Sequence, residues 1–352
     1  MYQINDNSIL TKACVFGCSG YELTNEEEDF FSSSNPLGFI IFSRNIKSPN
    51  QLIELITSLR SCVKHNSFIF IDQEGGSVQR LSQPHWRKCP PFGVFGKIYE
   101  KDNISGIRSL ELNLHLIALE LMELGIDVNC SPCLDIPRDR SSKIIDDRAF
   151  SQNKDTVVSL ARYSCLNFMD SGIVPVIKHI PGHGACLVDS HKELPVVNIS
   201  MSQLRDIDFM PFKSVSDLPV LAMTAHAVYP VVDEENAATI SKDVIKKIIR
   251  GYINFKGLII SDDICMDALK GSYSDRAISS IKAGCDIVLH CSGDMHQMEE
   301  IASVIPTLSQ EALKSIKQLD NYRGKAKIEI DKESLVSELS NILDNFGFYK
   351  FI

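Results

Sequence analysis

The sequence contains no run approaching 18 apolar residues, so no stretch of it is long enough to cross a bilayer as a helix. Its opening residues, Met1-Tyr2-Gln3-Ile4-Asn5-Asp6, lack the basic segment followed by an apolar one that marks a secretory signal. Basic residues are outnumbered 36 to 45, for a net charge of -9. That balance argues against a nucleic-acid partner, because phosphate binding needs a basic face. No linker, internal repeat or second composition regime divides the chain, and no Gly-x-Gly-x-x-Gly follows the first predicted strand. The expectation is one domain over residues 1–352, located in the cytoplasm, without a membrane or nucleic-acid partner.

What is present is the composition of an ordinary globular protein, 44% hydrophobic and 23% charged. Eleven cysteines are scattered singly, apart from Cys130-Ser131-Pro132-Cys133. A secreted disulfide scaffold would be shorter and more regular in spacing, so free buried thiols in a reducing compartment are expected. Cys130 and Cys133 follow a mid-chain strand, open no helix and have no partner pair, which favours two small core thiols over a redox or metal site.

Short apolar runs alternate with helical patterns. Strands are predicted at Ala13–Gly17, Gly38–Phe42, Phe68–Ile71, Asp127–Cys130, Val174–Ile177, Val220–Thr224, Gly257–Ile260 and Asp286–Leu289. Thr24 and Glu27 form a capping-box pattern, and Ser48-Pro49 opens a helix running to about Lys64. Further helices are expected over Ile107–Leu124, Thr156–Ser171, Met201–Ser214, Ser241–Tyr252 and Ser274–Ala283. Residues 81–106 read as a long irregular loop, and Lys332–Phe346 as a closing helix. Eight continuously apolar strands alternating with helices point to an α/β fold, a (β/α)8 TIM-type barrel, ahead of a doubly wound sheet.

Polar residues gather where these strands end. Asp72 follows the third, Lys178 and His179 the fifth, and Asp262 and Asp263 the seventh, while Arg80 and Arg148 lie on nearby loops. A barrel brings such positions together at its C-terminal face. The densest stretch is Lys178-His179-Ile180-Pro181-Gly182-His183-Gly184-Ala185-Cys186-Leu187-Val188-Asp189-Ser190-His191, where Pro181, Gly182 and Gly184 force a loop after the strand. His179, His183 and His191 raise a zinc reading, but the helical His-Glu-x-x-His pattern is absent, so no metal is expected. Asp262, directly after an apolar strand, is placed to stabilise a developing cation as glycoside hydrolysis requires, or else to cap a helix. Asp189, two residues before His191, can orient that imidazole and favour its charged form, or form a surface ion pair with it.

At these residues the sequence resembles family 3 of the glycoside hydrolases, and within it the single-domain bacterial β-N-acetylglucosaminidases of cell-wall recycling. The likeness rests on Lys178-His179-Ile180-Pro181-Gly182-His183-Gly184, Asp189-Ser190-His191 and Ser261-Asp262-Asp263. Ile71-Asp72-Gln73-Glu74-Gly75-Gly76-Ser77-Val78-Gln79-Arg80 and Asp147-Arg148-Ala149-Phe150 support it. The resemblance implies Asp262 as nucleophile, His191 as acid/base and Asp189 as its partner. It implies Asp72, Arg80, Arg148, Lys178 and His179 as the residues that bind N-acetylglucosamine. It implies a retaining exo-enzyme acting on muropeptide fragments as a monomer, with no cofactor. Four features depart from the family pattern: Ile180 for the common Phe, Ile264-Cys265-Met266 for Leu-Ser-Met, Ala149 for Ser, and the cysteines at 130 and 133. None removes a catalytic group.

Overall fold

A computed structural model describes residues 11–138, 145–186, 188, 193–326 and 331–348. Its centre is a closed barrel of eight parallel strands. They are β1 (Lys12–Gly17), β2 (Pro36–Ile41), β3 (Phe68–Ile71), β4 (Val128–Asn129), β5 (Val174–Ile180), β6 (Leu221–Thr224), β9 (Leu258–Asp263) and β10 (Ile287–His290). Between β6 and β9 an antiparallel pair, β7 (Val228–Tyr229) and β8 (Asp233–Ala237), stands outside the barrel. Closure comes from β1, which pairs with β2 on one side and β10 on the other. Every residue of β2, β3, β5, β6 and β10 is buried, as strands covered on both faces should be.

Local chemistry explains most of the helices. The Thr24 hydroxyl accepts from the Glu27 amide while the Glu27 carboxylate takes the Thr24 amide, completing the expected capping box. Ser48 caps the helix Pro49–Cys62, with Pro49 at its start. Lys332–Asn345 closes the chain against Asn103–Glu123, where Arg108 grips Glu338 through two contacts of 2.7 Å. All eleven cysteines are free thiols, nine of them buried. Among the described residues no helix is long and apolar enough to cross a membrane.

Three sequence expectations need correction. Residues 81–106 are not one irregular loop, because Phe92–Lys101 is helical and buries Phe92, Val94, Phe95 and Ile98. Its glycines disguise it, yet Gly96 is there because a Cβ would strike the Phe150 carbonyl. Met201–Ser214 is not one regular helix; a wider π-turn at Leu204–Asp208 interrupts it. Finally, β5 and β9 run three residues beyond their expected ends, to Ile180 and Asp263, so Lys178, His179 and Asp262 sit on rigid strand backbone.

Candidate active site

The C-terminal ends of the strands enclose a cavity of about 620 Å³, lined by Asp72, Arg80, Arg148, Lys178, His179 and Asp262 among others. Six of the eight residues singled out from the sequence therefore meet in one pocket. Asp189 and His191 lie outside the described residues.

The floor is a buried network of alternating charges. Lys178 Nζ lies 2.7 Å from both Asp72 Oδ1 and Glu74 Oε1. Glu74 holds Arg148 in a two-point grip, with Nε at 3.0 Å and Nη2 at 2.9 Å. Arg80 reaches the other oxygen of Asp72 at 3.1 Å. Burial by itself would neutralise Asp72 and Glu74, but the facing cations outweigh it and hold both carboxyls below the ordinary range. Asp72 and Glu74 overcome the burial of Lys178, and Glu74 above all that of Arg148, so the pKa of both cations is raised.

The loop after β3 is shaped by its own side chains. Gln73 accepts from the amides of Arg80 and Leu81 and donates to the Leu81 carbonyl, tying the two ends of the loop together and delivering Arg80 to the pocket. Gly76, at φ +59°, lets the loop press on Asp147, whose carboxylate takes the Ser77 amide and hydroxyl. This contact joins the loop to the turn Asp146–Arg148 and so locates Arg148.

His179 is oriented from behind. Its Nδ1 lies 2.6 Å from Asp135 Oδ2, which leaves the Nε2 edge for the pocket. Asp135 also accepts from the amides of His179 and His183 and from the Cys133 thiol at 3.4 Å. These partners outweigh burial and keep its carboxyl well below the ordinary range. Cys133, Asp135 and His179 bring donor atoms within 4.8 Å of one another, a spacing a metal ion could use. Each of those donors already has a partner in the others, and the Asp135 carboxylate is fully engaged. The His183 ring is buried, both its nitrogens lack hydrogen-bond partners among the described residues, and burial pushes its pKa down to about 4.

Two adjacent carboxylates end β9, and the structure separates their roles. Asp263 Oδ1 accepts from the amides of Cys265 and Cys291, tying β9 to the end of β10. Asp262 is half-buried, faces the pocket and, among the described residues, accepts only from the Asp263 amide at 2.8 Å. It lies within the strand and caps no helix. Burial opposes its charge, but the imidazoles of His226 and His179, the Asp263 amide and the Lys178 ammonium prevail, so it ionises more readily than an ordinary aspartate. The His226 ring sits behind it, between the Thr239 hydroxyl at 2.7 Å and the Asp263 carbonyl at 3.0 Å.

Glu74, Asp135 and His226 were not singled out from the sequence. Each follows a barrel strand closely, and that position was the available clue: Glu74 three residues after β3, Asp135 six after β4, His226 two after β6.

Residues 15–320 match the model of the glycosyl hydrolase family 3 N terminal domain. A beta-hexosaminidase of Nitrosomonas eutropha is 36% identical over 278 residues, covering 76% of this chain and 77% of that relative. One from Alkalilimnicola ehrlichii is 37% identical over 283 residues, covering 79% and 80%. Among solved structures, NagZ from Neisseria gonorrhoeae in complex with N-trifluoroacetyl-D-glucosamine is 28% identical. It superposes with a TM-score of 0.85 over 95% of this chain and 98% of its own.

Proposed function

This chain belongs to glycosyl hydrolase family 3, a glycoside hydrolase of the beta-hexosaminidase type, and we propose that it removes terminal β-linked N-acetylglucosamine from muropeptide fragments with retention of configuration. The observation that carries this reading is the state of Asp262. Asp72 and Glu74 are bound by cations, and Asp263 is bound by two backbone amides. Asp262 alone faces the cavity with one backbone donor and no ion-pair partner among the described residues. A carboxylate kept ionised and open is what a glycosidase nucleophile requires.

In the first step an oxygen of Asp262 attacks C1 of the sugar. The bond from C1 to the leaving oxygen breaks, and that oxygen takes a proton from His191. In the second step water attacks C1, gives its proton to His191, and the bond to Asp262 breaks. Asp189 would hold the His191 imidazole and favour its protonated form in the first step. Asp72, Arg80, Arg148, Lys178 and His179 would bind the sugar, because carboxylates accept from its hydroxyls and the cations donate to hydroxyl and acetamido oxygens. The bound analogue in the gonococcal relative is an N-acylated glucosamine, which agrees with that choice of sugar.

The test is to trap the intermediate with a slow fluorinated N-acetylglucosaminide, locate the adduct by mass spectrometry and follow the anomer released. The expected result is a sugar on Asp262 and a β-anomer as first product. Retention without any adduct would point to the substrate's own acetamido oxygen as nucleophile and overturn the role of Asp262. Binding without turnover would indicate a sugar-binding protein instead.

A further inference from the structure

A second, smaller cavity of about 140 Å³ adjoins the catalytic one, and Arg80 lines both. Its walls come from the segment after β2, including Ser43 and Lys47, and from the loop after β3, including His85 and Trp86. Lysine, arginine and histidine side chains line it, and no carboxylate does, in a chain whose net charge is -9. These cationic and polar groups also have capacity to spare. Lys47 is exposed with no ion-pair partner among the described residues, and the exposed His85 ring meets Trp86 in a T-shaped contact, with ring centroids 5.6 Å apart. Arg80 spends one nitrogen on Asp72, while its buried Nε has no hydrogen-bond partner among the described residues.

The barrel says which end of the sugar faces this cavity. Asp262 is the penultimate residue of β9 and Asp72 follows β3, and three strands lie between β9 and β3 whichever way round the barrel is followed. A sugar whose C1 meets Asp262 therefore points its opposite edge, with C4 and C6, towards Asp72 and Arg80. The C6 carbon projects from the ring and rotates, so a group attached there can turn past Arg80 into a side cavity. We infer that the cavity lined by Lys47, Arg80 and His85 is a subsite for an oxyanion ester at position 6 of the terminal sugar, so that 6-phosphorylated or 6-sulfated N-acetylglucosaminides are substrates. The inference rests on the N-acetylglucosaminidase reading of the main pocket. The cavity of about 140 Å³ has room for such a group together with water, since one water takes about 30 Å³ of liquid volume.

The experiment compares kcat/KM of the full chain on 4-nitrophenyl N-acetyl-β-D-glucosaminide, its 6-phosphate and its 6-sulfate, for the wild type, Lys47→Ala and Lys47→Glu. The wild type should hydrolyse the 6-phosphate at least as well as the unsubstituted glycoside. Lys47→Glu should lower kcat/KM for the 6-phosphate about tenfold, since a charge reversal exchanges an attraction for a repulsion. Lys47→Ala should fall between, and all three proteins should agree within about twofold on the unsubstituted substrate. Added salt should erode the preference for the phosphorylated substrate only. Equal treatment of phosphate and sulfate means that the site reads charge; preference for phosphate means that it reads the second charge too. Rejection of both esters by an enzyme active on the parent glycoside overturns the inference, as does indifference of the ester rates to both Lys47 variants. Failure on the parent glycoside itself overturns the underlying reading and the subsite with it.

Discussion

Glu74 Oε1 and Lys178 Nζ lie 2.7 Å apart, with side chains 1% and 3% exposed, and the same carboxylate grips Arg148. Glu74 touches the pocket only through these cations, yet it is the counter-charge that lets both of them stay buried there. Removing one partner of a buried pair costs far more than the pair's net worth, because the remaining charge is left in low dielectric. Glu74→Gln keeps the shape and deletes the charge. It should destabilise the fold by about 3 kcal/mol and lower the melting temperature by several degrees. KM should rise as Lys178 and Arg148 lose their positions. A variant as stable and as active as the wild type would contradict this account.

Acid stability follows from the same network. Asp72, Glu74 and Asp135 all have folded pKa values below their ordinary ones. The unfolded chain therefore binds more protons as pH falls, and the stabilisation present above about pH 4 is lost on further acidification. Urea unfolding of the wild type should weaken steeply below about pH 4. Glu74→Gln, with one such group fewer, should show a shallower decline.

Replacing Asp262 should separate chemistry from folding. Its side chain accepts one hydrogen bond, from the neighbouring amide, and makes no ion pair among the described residues. Asp262→Asn should lower the melting temperature only slightly, by the stabilisation its depressed carboxyl supplies at neutral pH, while turnover falls on the order of 10⁴–10⁶-fold, as for other essential nucleophiles. Asp263→Asn should do the reverse, loosening the β9–β10 junction where its carboxylate holds two amides. Near-normal turnover in Asp262→Asn would transfer the nucleophile's role elsewhere.

Much of this was legible in the sequence, because barrel strands are apolar throughout and their ends are polar. All eight were placed, but β5 and β9 were ended at their first polar residues. At the pocket end of a barrel a charged side chain can remain on the hydrogen-bonded ladder, since the pocket supplies its partners. Those partners are remote in sequence: Glu74 and Arg148 are 74 residues apart, and Asp135 and His179 are 44 apart. Neither pairing leaves a local pattern to read. The antiparallel pair β7 and β8 was missed for a different reason. Its second strand, Asp233-Glu234-Glu235-Asn236-Ala237, is mostly polar and carries no strand periodicity.

Asp208 offers a pH test of the packing beneath Gly182. Its side chain is buried under Gly182, with one oxygen 2.7 Å from Arg138 and the other without a hydrogen-bond partner among the described residues. Burial pushes its carboxyl up to about 7, against the pull of Arg138 and with added repulsion from Asp135. A raised carboxyl means that the folded state holds more protons than the unfolded one, so this contribution to stability is lost as pH rises from about 4 to 7. His183, depressed to about 4, acts in the opposite sense over the same range. The comparison with Asp208→Asn isolates the first effect. The stability of the wild type relative to that variant should fall by as much as about 3 kcal/mol between pH 4 and pH 8. A difference that stayed constant with pH would show that Asp208 does not titrate there.

The proposed acid/base gives a prediction that depends on the leaving group. A sugar alcohol is a poor leaving group and needs a proton as the bond to C1 breaks; a nitrophenolate leaves without one. General acid catalysis is typically worth about 10²–10⁴-fold. His191→Ala should lose about that much in the glycosylation step on a muropeptide disaccharide and much less on 4-nitrophenyl N-acetylglucosaminide. Deglycosylation should slow for both substrates, because the same imidazole must then take a proton from water. The aryl substrate should therefore give a pre-steady-state burst, fast release of nitrophenolate followed by slow turnover, as sugar accumulates on Asp262. Asp189→Ala should show the same pattern more weakly, since it leaves the imidazole in place and removes only the carboxylate that favours its charged form. Equal losses in the two glycosylation rate constants would assign His191 to binding or orienting the sugar, and leave the proton to another donor.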